Sequence, residues 1–254
     1  MKNYFNFENS NILILGASSG FGKIYSETFY DLGANVISVA RNQKKLKILK
    51  KGCEERSSPG NIEIYKCDVN NEKQVNNLLK KIKKYKKLNV VIYCCGCNVR
   101  QLFIDIKQKD YKNVMKTNYF SAFNLFKKLY PMLKNSDYSR IINLTSIFST
   151  KTMKKRTSYS ASKAALLMLT KSLALEWCDK NFTVNSISPG PFLTEINLPV
   201  LKNKKEYKKM CEKIPIGRFG NIDEIITPML FLASPNSSYV NGAEIIVDSG
   251  WNIL

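Results

Sequence analysis

Seven short apolar runs alternate with stretches of helical periodicity along the whole chain, and no other feature restricts its fold so tightly. The runs are NILILGA (11–17), ANVISVA (34–40), NIEIYKCDV (61–69), LNVVIYCC (88–95), SRIINLTS (139–146), NFTVNSISPG (181–190) and GAEIIVDSG (242–250). LNVVIYCC is apolar almost without a break, as strands buried on both faces of a parallel sheet are. Between the runs the period changes. Val75, Leu78, Leu79, Ile82 and Tyr85 recur at helical spacing with lysines on the opposite face, and a helix-like stretch spans Lys23 to Leu32. Alternation from end to end, with no internal repeat or linker, predicts an α/β fold: one domain over 1–254, a doubly wound seven-stranded parallel sheet flanked by helices. In such sheets ligands bind beyond the carboxyl ends of the strands, so the residues there are the ones to read for chemistry.

Several function classes are excluded by composition. There is no histidine, which removes Ser-His-Asp and Cys-His nucleophilic catalysis and every His-ligated metal site. Acid–base chemistry is left to Tyr, Lys, Cys or a carboxylate. The formal net charge is 40 − 20 = +20. The cations are mostly lysines spread over nearly every predicted helix instead of gathered on one face, so nucleic acid is not the expected partner. Seven cysteines at irregular spacing form no disulfide framework, and NILILGA is too short for a signal segment or a membrane span. A soluble protein of the reducing cytoplasm, with no membrane partner, is expected.

The first run ends in GASSGFGK. Gly16, Gly20 and Gly22 allow a sharp turn and a close approach to a pyrophosphate, with a helix N-terminus beyond to supply amide donors. A P-loop register fails twice, because Ala17 stands at its first glycine and Ile24 at its Ser/Thr. The second run ends SVARN, where dinucleotide folds that take NAD carry a carboxylate for the ribose 2′-hydroxyl. Here Ala40 takes that place and Arg41 follows, which suits a 2′-phosphate, so NADP(H) is favoured over NAD(H).

Tyr159 and Lys163 are four residues apart, on one face of a predicted helix; Ser146 ends the fifth run and Asn118 precedes it in a long helix. Together with Gly16-x-x-x-Gly20-x-Gly22, these residues resemble the short-chain dehydrogenase/reductase family, a Rossmann-fold family, over essentially the whole chain. Within the family, the look is closest to gluconate 5-dehydrogenases and 3-oxoacyl-carrier-protein reductases. The resemblance implies Asn118, Ser146, Tyr159 and Lys163 as a catalytic tetrad, with Ser146 and Tyr159 at the substrate oxygen. Tyr159 would act as acid or base, its pKa lowered by Lys163. It implies cofactor contacts from Gly16, Ser18, Ser19, Gly20, Phe21, Gly22, Arg41, Asp68, Val69, Cys94, Gly96, Tyr159, Lys163, Pro189, Gly190 and Thr194. It also implies a homotetramer and a small carbonyl or alcohol substrate.

Where the family carries Asn-Asn-Ala-Gly, this chain reads Tyr93-Cys94-Cys95-Gly96, followed by Cys97. Neighbours on a strand point to opposite faces and no fourth ligand is at hand, so no metal is expected and the cysteines read as packing; a regulatory thiol is the alternative. A substrate lid is expected over 191–213. Cations in TKTMKKRTS and LKNKKEYKK would steer in an anionic substrate if any face the cleft. The leading expectation is an NADP(H)-dependent oxidoreductase acting on a keto sugar acid. The alternatives are a 3-oxoacyl-carrier-protein reductase and a non-catalytic dinucleotide-binding scaffold.

Overall fold

Every one of the seven apolar runs forms a strand, and all seven strands are parallel: β1 (Asn11–Leu15), β2 (Asn35–Ala40), β3 (Asn61–Lys66), β4 (Val90–Tyr93), β5 (Ser139–Leu144), β6 (Phe182–Pro189) and β7 (Glu244–Val247). The computed structural model describes residues 5–178 and 181–253. Between the strands lie α1 (Gly20–Asp31), α2 (Gln43–Glu54), α3 (Glu72–Ile82), α4 (Gln108–Met115), α5 (Ser121–Lys134), α6 (Thr157–Glu176), the short α7 (Leu198–Leu201) and α8 (Lys204–Cys211), and α9 (Ile226–Ala233).

Strand alternation feeds two cores. In β1, Ile12 and Ile14 face one layer while Leu13 and Leu15 face the other; in β4, Val90 and Ile92 are opposed to Val91 and Tyr93. The first layer is closed by Tyr25 and Phe29 of α1, Leu46 and Leu49 of α2, and Met229 and Leu232 of α9. The second is closed by Val75, Leu78 and Ile82 of α3, Leu125, Phe126 and Leu129 of α5, and Leu166, Leu169 and Leu173 of α6. Both faces are covered, which is why the strands read as unbroken apolar runs.

The strand order is β3-β2-β1-β4-β5-β6-β7. After β3 the chain crosses back to lay β4 beside β1, and this reversal opens a crevice at the carboxyl ends of the two strands. Three boundaries differ from expectation there. Helix α1 begins at Gly20, not Lys23, because the glycines themselves make its first turn. Ser146 lies two residues past β5, where its hydroxyl accepts from the Phe148 amide at 3.2 Å and starts a tight turn over Ile147–Ser149. Asn118 does not sit in a regular helix but in a π-helical segment, Lys116–Phe120, between α4 and α5. Such insertions break the α-helical register and re-aim side chains, and they recur at functional sites.

Candidate functional site

At the mouth of β1 the backbone turns at Gly16, whose φ of 88° suits glycine; a Cβ there would lie 3.0 Å from the Cys94 carbonyl carbon. Gly22 lets the first turn of α1 press onto this loop, since a Cβ on it would meet the Gly16 carbonyl oxygen at 2.4 Å. Ser19 stands at the N-cap of α1 without a capping side-chain hydrogen bond, and no acidic residue occupies the first turn. The helix therefore presents unclaimed amides and its positive end to the cleft lined by Ser18, Ser19, Gly20, Phe21 and Gly22.

The cleft holds about 420 Å³ and runs from this loop past Arg41, Asp68 and Val69 on one side to Ser146, Tyr159 and Lys163 at the far end. All the expected cofactor contacts line it, Cys94, Gly96, Pro189, Gly190 and Thr194 included. Arg41 is exposed at the rim with no acidic partner among the described residues. Lys45, also in the lining, is held at 2.5 Å by Glu195 from the segment after β6. A glycine cradle beneath a helix terminus, an unpaired arginine where a 2′-phosphate would stand and the elongated cleft together fit a dinucleotide.

At the far end, α6 brings Tyr159 and Lys163 together, with Lys163 Nζ 5.8 Å from the Tyr159 ring centroid. Lys163 is buried and donates from Nζ to the Leu144 carbonyl at 2.5 Å. Burial pulls its pKa down to about 8. Tyr159 departs from expectation. Desolvation raises its pKa above the ordinary phenol value; the Ser146 hydroxyl and the Arg156 charge act the other way, and Lys163 is not among the groups that lower it. The physical reason is that Lys163, its own pKa pulled down to about 8 by burial, has lost its charge by the pH at which the phenol titrates. The phenol is thus held protonated at neutral pH.

Asn118 is fully buried behind the cleft wall, outside the lining. Its Oδ1 accepts from the Cys97 amide at 2.8 Å, and its Nδ2 donates to the Cys97 carbonyl at 3.0 Å and to Ser162 Oγ at 2.9 Å. The loop after β4 is thereby pinned without the asparagine pair. Tyr93, in the first of those asparagine positions, supports the arrangement from beneath: its hydroxyl donates to the Thr117 carbonyl at 2.6 Å, inside the π-helical segment, and pairs with Ser121 Oγ. Cys94 packs into the first core layer and Cys95 into the second, the opposed placement expected of strand neighbours. Burial pushes the Cys94 thiol well up and the Cys95 thiol to about 12, so neither is a ready thiolate.

Among the cleft residues not singled out from the sequence are Asn98, Phe148, Arg156 and Trp251. Phe148 is an aromatic hinge, edge-on to both Tyr159 at 6.4 Å and Trp251 at 6.2 Å. Arg156 is the one arginine among four cations in the run TKTMKKRTS, and it stands at the N-cap of α6. The pattern of the run does not show which of the four turns into the cleft.

A family model described as enoyl-(acyl carrier protein) reductase matches residues 16–252. The chain is 31% identical over 244 residues to the 3-oxoacyl-(acyl-carrier-protein) reductase FabG of Rickettsia typhi, covering 96% of this chain and 97% of that one. A crystal structure of a gluconate 5-dehydrogenase from Burkholderia cenocepacia, in complex with NADP and tartrate, superposes with a TM-score of 0.91 at 25% identity over 99% and 98% of the two chains. A short-chain type dehydrogenase/reductase from Mycobacterium marinum does so at 0.89 and 28%, over 98% and 97%.

Proposed function

The chain belongs to the short-chain dehydrogenase/reductase family and is an oxidoreductase; from that premise we propose that it interconverts a carbonyl and a secondary alcohol with NADP(H), Tyr159 serving as the acid or base. The observation that carries this reading is the placement of Ser146, Tyr159 and Lys163 at one end of a cleft whose other end is the glycine cradle. Gly16, Ser18, Ser19, Gly20, Phe21 and Gly22 would hold the pyrophosphate, Arg41 the 2′-phosphate and Asp68 with Val69 the adenine side. Cys94, Gly96, Lys163, Pro189, Gly190 and Thr194 would line the nicotinamide side. When bound there, the cofactor supplies the hydride.

The residues of the chain do the rest. Ser146 orients the substrate oxygen beside the phenol. Tyr159, kept protonated by desolvation, donates its proton to that oxygen in the reductive direction and takes it back in the oxidative one. The Ser146 hydroxyl and the Arg156 charge stabilise the phenolate left behind, Lys163 would hold the ribose on the nicotinamide side, and Asn118 keeps the loop at Cys97 in register with it. The segment 191–213 acts as a lid, with Phe192, Thr194 and Met210 in the cleft wall.

Arg41 without a competing carboxylate supports NADP(H) over NAD(H), as does the NADP in the Burkholderia structure. Phe120 at the end of the π-helical segment, Phe123 on α5, and Met168 and Leu175 on α6 are large apolar side chains left exposed, which supports a homotetramer. No helix among the described residues is long and apolar enough to cross a membrane, and the seven cysteines are free, in keeping with a cytoplasmic setting. The keto sugar acid reading draws on the gluconate 5-dehydrogenase likeness. Reduction of a 3-oxoacyl carrier-protein thioester is the second reading, favoured by the relatives in sequence.

The test is NADPH consumption with a panel of keto acids and 3-oxoacyl thioesters, for the native chain beside Tyr159→Phe and Arg41→Ala. Tyr159→Phe is expected to lower kcat by a factor of about 100 or more. Arg41→Ala should weaken NADPH binding by about tenfold or more while NADH binding is little changed. Turnover that survives Tyr159→Phe would overturn the acid–base assignment. NADPH binding with no turnover of any carbonyl would favour a scaffold.

A further inference from the structure

One arginine lines the substrate end of the cleft with no carboxylate answering it, and a second adds its charge from the loop after β4. Arg156 is only 7% exposed, lines the cleft three residues before Tyr159, and lies with its guanidinium carbon 5.5 Å from the Phe148 ring centroid. No acidic group among the described residues acts on it; the charges that do belong to Arg100, which opposes its own, and to Tyr159. Arg100 comes from the loop after β4, and its Nη2 is buried without a hydrogen-bond partner. The acid that acts on it is Glu206 of the lid helix α8. In the same loop Asn98, which lines the cleft, has a buried Oδ1 that accepts no hydrogen bond.

A buried cation without an acidic partner is costly, and a second cation acting on it adds to the cost. The tyrosine end of the cleft, lined by the Arg156 guanidinium over the Phe148 ring, is therefore built to receive an anion. A carboxylate matches a guanidinium with two parallel hydrogen bonds. We propose that Arg156 binds the carboxylate of an oxo-acid substrate whose carbonyl is thereby delivered to Tyr159, with Arg100 adding its charge from the loop after β4 and Asn98 accepting a hydrogen bond from a substrate hydroxyl. This deepens the proposed reaction and rests on it. It also divides the two substrate readings, because a 3-oxoacyl thioester is uncharged around its reacting carbonyl and would leave the Arg156 guanidinium unanswered.

The probes are three oxo-acids, acetoacetate, levulinate and 5-keto-D-gluconate, each beside its methyl ester at matched ionic strength, with the native chain and the Arg156→Met, Arg156→Lys and Arg100→Met variants. NADPH titration establishes that each variant keeps its cleft. At least one acid is expected to exceed its ester in kcat/KM by about 100-fold or more, since an ester leaves the Arg156 guanidinium unsatisfied. Arg156→Met and Arg100→Met should each reduce that ratio by about tenfold or more, and Arg156→Lys should restore part of it, keeping the charge without the fork. Equal use of acid and ester by the native chain, or a ratio unmoved by either methionine variant, overturns the proposal and leaves the hydride-transfer reading standing. Calorimetry separates the remaining cases. If nothing turns over but an acid binds and Arg156→Met weakens it tenfold, the carboxylate site stands and the reaction falls. If no acid binds the native chain at all, the carboxylate site falls as well.

Discussion

Asn118 grips Cys97 at two points, accepting from its amide at 2.8 Å and donating to its carbonyl at 3.0 Å, so that a residue outside the cleft fixes the backbone that walls it. Asn118→Ala would strip a part-buried amide and carbonyl of their partners. A loss of about 1–3 kcal/mol in stability is expected, together with weaker NADPH binding, because the backbone at Gly96 would drift from Lys163. Urea unfolding and a fluorescence titration check both; native-like values in each would show that the clamp is incidental.

The clamp has its own support in Tyr93. This side chain has no exposed surface and touches the π-helical segment through a single hydroxyl, donating to the Thr117 carbonyl at 2.6 Å. Tyr93→Phe keeps the packing and removes the hydroxyl. A cost of about 1–2 kcal/mol is expected, with kcat falling more than NADPH affinity, since Thr117 and Asn118 move with the segment while the glycine cradle does not. A variant less stable yet fully active would reduce Tyr93 to a structural role.

Lys163 gives the stability a pH dependence. Its pKa in the fold is about 8, below the ordinary lysine value, so between the two the unfolded chain binds more protons than the folded one. Stability therefore rises with pH across that window, and the full cost of the buried ammonium is present below about 8. Lys163→Met removes the cost. The variant is expected to be inactive, to be more stable than the native chain at about pH 7, and to lose that advantage by about pH 10. Urea midpoints at several pH values supply the comparison; a difference between the two chains that does not change with pH would contradict it.

Much of this was open to reading in the chain because it depends on short-range pattern. The strands follow from apolar runs that need no context, and the cradle from three glycines whose spacing dictates a turn. Tyr159 and Lys163 share a helical face by their spacing, and Ser146, Asn118 and the glycine loop around them are what make the pair stand out in a lysine-rich chain. What the pattern could not reveal depends on which neighbours pack against a residue. The raised pKa of Tyr159 depends on burial of the phenol, and the lowered pKa of Lys163 on burial beside the Leu144 carbonyl, 19 positions away in sequence. The inward turn of Arg156 depends on the Phe148 ring it covers, and the π-helical step at Asn118 on a tyrosine in β4. The asparagine pair missing from Tyr93-Cys94-Cys95-Gly96 is compensated by Asn118 on Cys97 and Tyr93 beneath it, and both contacts are tertiary.

Two glycines in helical positions, Gly22 and Gly52, carry the last prediction, because they should respond to alanine with opposite signs. At Gly52, in the last turns of α2, an added Cβ meets nothing within 4 Å. Gly52→Ala is expected to stabilise the fold by about 0.5–1 kcal/mol, through better helix propensity and a less flexible unfolded chain. At Gly22 the same methyl group would lie 2.4 Å from the Gly16 carbonyl oxygen and 3.0 Å from Ala17 Cα, both backbone atoms that cannot step aside without opening the loop. Gly22→Ala is expected to cost about 1–3 kcal/mol, as overpacking does, and to weaken NADPH binding by more than the stability loss explains. The shift moves the very amides that would face the pyrophosphate. Thermal unfolding of both variants, with NADPH titration of each, decides the matter. If Gly22→Ala binds NADPH as well as Gly52→Ala does, the close contact of α1 with the Gly16 turn is packing alone and the cradle tolerates a looser helix.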